Sequence, residues 1–165
     1  MKKIAKWIGL TIAIIAVFVM AVRISEYYSL ISKNTRNLEM ILSENITSGR
    51  SENGNLKDLI TLNYDKMYVF EPYQSIDEME KQIGFKYSKL KEGISEGIIN
   101  ILLVKDNKAI AYLFGYPSNT GYYLEIPSGE YTKSQIDKMT YTIKERHVGN
   151  SYGTPKTYIF YELRD

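Results

Sequence analysis

Carboxylates, tyrosines and one histidine are the groups through which this chain of 165 residues could do chemistry. Asp65, Glu71, Glu125 and Glu130 are the candidates for an acid pair of the kind that cleaves glycosidic bonds, in which one carboxyl donates a proton while the other attacks or activates water. Asp65 and Glu71 stand six apart on a strand-like stretch. That separation is roughly 20 Å, too long for such a pair. Asp65, next to Lys66, reads instead as a surface ion pair or a strand-end hydrogen bond. His147 is the only histidine and cysteine is absent, which excludes structural zinc and thiol catalysis. His147 lies beside Arg146 at the edge of a polar loop, and little marks it as a base. Gly93, Gly97 and Gly115 do not make a nucleotide fingerprint. No catalytic residue, no metal site and no cofactor is expected.

The remaining signal is tyrosine, fifteen in all. Tyr64, Tyr68, Tyr73, Tyr112, Tyr116, Tyr122 and Tyr123 fall around one expected hairpin. Tyrosine offers a large contact area with few rotors and is enriched at binding surfaces. It is also a good strand former on a half-exposed sheet, and that plainer reading carries more weight. If the tyrosines do bind, Tyr64, Tyr73, Tyr116 and Tyr123 are the candidate contact residues, for a protein partner or for stacking on cell-wall glycan.

These groups are positioned by a chain whose first segment sets its address. Residues 7–22, from Trp7 to Val22, carry no charge and no proline. Counted from Ile4 to Ile24, with Lys6 and Arg23 snorkelling, the segment covers roughly 30 Å, the thickness of a bilayer's hydrocarbon core. Trp7 suits the interface. The competing reading is a cleaved signal peptide with Val19-Met20-Ala21 as its small-x-small site, but no polar stretch separates the apolar run from that site. An uncleaved single-pass anchor in the lipid bilayer is the preferred reading. Lys2, Lys3 and Lys6 keep the amino terminus cytoplasmic and place the rest outside, an extracytoplasmic domain at the cell membrane. Setting those three lysines and Arg23 aside leaves 17 basic residues against 19 acidic ones. So mixed a surface gives no case for nucleic acid.

The domain division follows. Residues 1–24 are the anchor, and residues 25–46 form a helical stalk with apolar residues at Tyr27, Leu30, Ile31, Leu38, Ile41 and Leu42. The stalk packs on its own domain or self-associates, although Asn34 and Asn45 interrupt the stripe. Asn45-Ile46-Thr47 matches a glycosylation sequon, a weak signal at three residues. Residues 47–55 are a linker and residues 56–165 one domain. Within it, residues 64–70 read as a strand. Ser75 with Glu78 forms a capping box opening a helix that Gly84 stops. Residues 85–97 hold a short strand and a loop. Residues 98–116 form a hairpin turning on Asp106-Asn107, with Lys105 facing Lys108, Leu103 facing Ile110 and Ile101 facing Tyr112. Residues 117–121 are a loop, and residues 122–126 a strand with Tyr122, Leu124 and Ile126 inward. Residues 134–139 could form a short helix. Residues 141–143 are a strand, residues 147–155 a long polar loop, and residues 157–163 the closing strand. The fold class is α+β, a small antiparallel sheet with one short helix packed on it.

The run Tyr64-Asp65-Lys66-Met67-Tyr68-Val69-Phe70-Glu71-Pro72-Tyr73, followed by Glu78, Ile83-Gly84-Phe85 and Tyr116-Pro117-Ser118-Asn119, resembles the opening of a group of small exported or membrane-anchored bacterial proteins. In that group a tryptophan stands where this chain has Tyr64. The resemblance covers about residues 56–126 and implies location and fold, not a reaction. The expected function is thus a non-enzymatic, membrane-anchored binding domain at the cell surface, with an immunity or inhibitor role as one concrete version. The alternatives are a wall-acting enzyme using Glu71, Glu125 or Glu130, and a structural subunit of a membrane complex joined through the stalk.

Overall fold

The computed structural model describes residues 2–44, 53–148 and 156–164. The fold is α+β. A single helix, α1 (Lys2–Glu44), is followed by β1 (Asn53–Asn55), α2 (Leu56–Leu59), β2 (Lys66–Val69), α3 (Ile76–Ile83), β3 (Ile99–Lys105) and β4 (Lys108–Gly115). Then come α4 (Pro117–Thr120), β5 (Tyr122–Glu125), β6 (Gly129–Thr132), α5 (Lys133–Ile136), β7 (Thr140–Val148) and β8 (Lys156–Arg164). The sequon at Asn45, most of the expected linker and residues 149–155 of the expected polar loop lie outside the described residues.

At 43 residues, α1 is about 65 Å long. Its first half is long and apolar enough to cross a membrane, and its large side chains, among them Trp7, Ile14, Val17, Phe18 and Met20, are exposed. The same helix continues without a break into the folded part. Its second half buries Ile31, Leu38 and Leu42. The expected stalk is therefore partly a core element, and Leu38→Glu would put a charge into that core rather than disturb a surface. Asn53–Asn55, expected to close the linker, instead pairs as β1 with β7. A side chain at Gly54 would collide with the Tyr141 ring, whose hydroxyl lies 2.6 Å from the Cβ position.

The strands form two four-stranded sheets where sequence patterning suggests one. The antiparallel sheet has the order β4-β3-β2-β6. The mixed sheet has the order β1-β7-β8-β5, with β5 parallel to β8. Between the sheets lies the larger core: Met67, Val69, Ile101, Leu103, Ala111 and Leu113 from one, Tyr122, Leu124, Tyr141 and Tyr161 from the other, and Leu38 and Leu42 of α1 at the side. The outer face of the antiparallel sheet, with Tyr68, Leu102, Val104 and Tyr112, is covered by Met79 and Ile83 of α3 together with Tyr87, Leu90 and Ile31. Burial on both faces explains the unbroken apolar run of β3.

Local signals operate as chemistry dictates. The Ser75 hydroxyl accepts from the Glu78 amide, Glu78 accepts from the Ser75 amide, and Gly84 ends α3 at φ 81°. Asp106 and Asn107 turn the β3–β4 hairpin, both at positive φ. The Asp65 carboxylate accepts from the Asp106 amide at 2.8 Å, which fixes that turn. Lys105 does face Lys108, but a bulge beyond it shifts the register. Leu103 pairs with Ala111 rather than Ile110, and Leu102, not Ile101, pairs with Tyr112. Residues 85–98 hold no strand, and residues 117–120 coil into α4 where a plain loop was expected.

At the bulge the edge of β4 meets α1. Asn34 donates its side-chain amide to the Ile110 carbonyl at 2.9 Å, and Thr35 accepts from the Tyr112 amide at 3.0 Å. Two polar side chains of α1 thus satisfy backbone groups that an edge strand would otherwise leave open to another strand. Asn34, an interruption when the stripe is read as a dimer seam, is an edge cap. The other end of α1 is held as well: the Tyr161 hydroxyl donates to the Leu42 carbonyl at 2.7 Å, meeting one of the carbonyls the last turn leaves unpaired.

Candidate functional site

One end of the antiparallel sheet collects the end of β2, the start of β3, the end of β4 and the start of β6. It is the end opposite the Asp106-Asn107 turn. After β2, Pro72 turns the chain and Tyr73 takes the left-handed conformation at φ 66°, which a residue with a side chain adopts only under local constraint. The constraint is visible: the Tyr73 amide donates to the Gly93 carbonyl at 2.7 Å. Gly93 opens a short loop, and the next residues meet the other tyrosines. Ser95 donates to the Tyr116 hydroxyl at 2.9 Å. Glu96 is close enough to Tyr123 to act on its hydroxyl, whose pKa is raised first by burial and then by Glu125 and Glu96. Ile94, between them, is the most exposed large apolar side chain among the described residues of the folded part, at 80%.

The fold therefore brings Tyr73, Tyr116 and Tyr123 around one loop and leaves Tyr64 out. Tyr64 is 1% exposed, in the core between the sheets, and its ring lies under the Lys133 ammonium at 5.5 Å. It is not a contact residue. Its place at the entry of β2, where one residue earlier or later would face outward, decided this, and tyrosine's liking for both surroundings hid it. Tyr68, Tyr112 and Tyr122 are buried too. Ile94 and Ser95 escaped the sequence reading. The only signal was an apolar residue isolated between Gly93 and Gly97.

Two clefts open at this end and share Val69, Pro72 and Ser128. One, of about 530 Å³, lies among Glu71, Tyr73, Gln74, Glu78 and Gln82. The other, of about 210 Å³, lies beside Glu96, Tyr123 and Ile126. The walls of the first are braced: the Glu71 amide donates to Gln74, and Gln74 donates to Gln82 at 3.0 Å. The Glu78 carboxylate accepts from both the amide and the hydroxyl of Ser75, which lowers its pKa and engages it in capping.

The carboxylates do not form a reacting pair among the described contacts. Asp65 holds the hairpin turn, Glu130 binds Lys66 at 2.6 Å, Glu78 caps α3, and Glu125 is exposed on β5. Glu71 faces the larger cleft. His147 falls on β7, in register with Thr157, and not in a loop. Among the described residues no cluster of histidine, aspartate and glutamate is placed to hold a metal ion. What the arrangement offers is a contact surface: an exposed aliphatic side chain, three tyrosines about one loop, and exposed carboxylates at Glu71, Glu96 and Glu125. No protein-family model, no curated protein and no solved structure matches the chain.

Proposed function

We propose that the protein is a single-pass, membrane-anchored binding domain. Its amino terminus is cytoplasmic, its folded part is extracytoplasmic, and the end bearing Tyr73, Ile94, Tyr116 and Tyr123 captures a protein partner. The observation that carries this reading is the convergence of the three tyrosines on the 93–96 loop, in which Ile94 is left 80% exposed. Aromatic anchors around an apolar centre, with a polar rim, are the make-up of protein–protein contacts. The exposed carboxylates favour a partner with a basic surface. Capture of a secreted toxin or hydrolase, in the manner of an immunity protein or inhibitor, is the concrete version. The apolar, exposed first half of α1 supports the anchor, and Lys2, Lys3 and Lys6 ahead of it support the orientation.

A photo-crosslinking side chain in place of Ile94, in intact cells, tests the reading. The expected result is one major crosslinked protein that disappears when Tyr116→Ala and Tyr123→Ala are combined, while near-UV circular dichroism of the purified double variant stays native-like. Unchanged crosslinking in the double variant refutes the site. Protease added to intact cells is expected to remove the folded part; full protection refutes the orientation.

A further inference from the structure

A second concavity lies away from the tyrosine end, along α1 itself. It measures about 700 Å³ and runs between one face of α1 and the segment after α3. Ile31, Tyr87 and Tyr112 form its buried floor. Three cations line it: Arg36 on α1, and Lys89 and Lys91 opposite. None of the three is in an ion pair among the described residues. The Lys89 ammonium sits 5.6 Å from the centre of the Tyr28 ring, and the Lys91 ammonium 5.2 Å from that of Phe114. Ring faces hold an ammonium in place without neutralising it. The facing acid on the lining is Glu39, near Arg36, and burial raises its pKa more than Arg36 lowers it. Hydroxyls complete the wall. Tyr28 and Ser88 share one hydrogen bond at 3.0 Å, which leaves one of their protons free to point outward. Thr35 accepts from Tyr112 and keeps its own proton to donate.

The groove's position narrows the occupant. Tyr28 comes five residues after Arg23, about 7.5 Å further along the helix, and Arg36 about 20 Å further. Past Arg23 the apolar side chain of Ile24 is exposed, one turn before Tyr28 and on the same side of α1, just below the groove's lower end. An occupant that enters there meets hydrocarbon below and cations above. We propose that this groove binds the anionic headgroup of a membrane lipid, its phosphoryl at Lys89 and a hydroxylated extension lying along α1 toward Arg36. The proposal rests on the anchored reading of α1. It gives the domain a second attachment to the bilayer and a preference for anionic membranes.

The full-length chain, reconstituted in phosphatidylcholine vesicles containing a minority of phosphatidylglycerol, is the material for the test. The chain is released and its retained lipids are weighed by native mass spectrometry. Each cation at an anionic surface is worth roughly a fivefold preference. Phosphatidylglycerol is therefore expected to be enriched over its share of the vesicle by well over that factor. The enrichment is expected to fall to about fivefold or less, the share of the remaining Lys91, when Lys89→Ala and Arg36→Ala are combined, and to persist in Lys144→Ala, which lies on β7. Near-UV circular dichroism checks that each variant is folded. No enrichment, or enrichment unchanged in the double variant, overturns the proposal. Glycerol phosphate in the aqueous phase that binds as well as the lipid and displaces it marks a soluble-anion site, which also overturns the lipid assignment. A chain that alkaline carbonate strips from the vesicles refutes the anchor itself, a result separate from any lipid preference.

Discussion

Leu38→Ala and Leu42→Ala test whether α1 belongs to the fold or merely carries it. The two side chains are 2% and 0% exposed and stand one turn apart in the core between the sheets. Each truncation removes three heavy atoms from a packed site, and a buried Leu→Ala change costs about 2–5 kcal/mol. The two cavities adjoin, so the joint cost falls short of the sum, at about 4–7 kcal/mol. A domain of this size is stable by about 5–15 kcal/mol, so the double variant sits near the threshold of folding. Met40, between them in sequence, is 47% exposed, and Met40→Ala is the control, with a cost of about 0.5 kcal/mol or less. The assay is a urea titration of the full chain in detergent micelles, followed by near-UV circular dichroism of the tyrosines. Far-UV signal is the wrong probe, because the apolar half of α1 stays helical in detergent. With a urea dependence of about 1.5 kcal/mol/M, a single truncation costing about 3 kcal/mol lowers the midpoint by about 2 M. If Leu38→Ala and Leu42→Ala move the midpoint no more than Met40→Ala does, α1 is not part of the core.

Asn34→Ala is expected to cost about 1–2 kcal/mol, since it strands the part-buried Ile110 carbonyl, and to promote self-association through the uncovered edge of β4. Urea titration and light scattering check the two effects, and a variant that stays monomeric counts against the capping role. Tyr161→Phe removes the donor to the Leu42 carbonyl and should lower stability by about 1 kcal/mol, whereas Tyr64→Phe should cost less or nothing, because its buried hydroxyl has no protein partner among the described residues. Equal costs in the same titration would overturn that contrast. Glu78 has its carboxyl pKa lowered by the Ser75 amide and hydroxyl, so its contribution to α3 is present above the ordinary value of 4.5 and is lost as pH falls through the lower folded value. Glu78→Gln is therefore expected to flatten the acid limb of stability against pH; an unchanged limb refutes the linkage.

What could be read in the sequence is what neighbouring residues decide. The Ser75–Glu78 box, the Gly84 stop and the Asp106-Asn107 turn depend on groups a few residues apart, and all three stand as written. At the β4 bulge Ile110 meets Asn34, separated from it by 76 positions, and no local pattern announces that contact. The parallel β5–β8 pairing has the same character: alternation in each strand shows which side chains face inward but not which strand lies beside which. At the candidate site, Tyr73, Tyr116 and Tyr123 were legible as residue types, but their common neighbour, the 93–96 loop, was not. Its role comes from hydrogen bonds to two separate segments and a cleft wall shared with a third. Tyr64 misled because a ring at a strand entry suits core and surface alike.

The unbroken path of α1 from apolar half to core fixes a phase as well as a distance. Successive residues of a helix advance by about 100° and 1.5 Å. No joint separates Arg23 from Tyr27, so the azimuth of the folded part about the axis of the apolar half of α1 is set by the residue count alone. One alanine inserted there would swing the tyrosine end by about a quarter turn while lifting it hardly at all. Seven would bring it back close to its first heading, about 10 Å further out. A partner held in the same membrane could therefore tell these two chains apart by bearing, where a freely diffusing one would bind both alike.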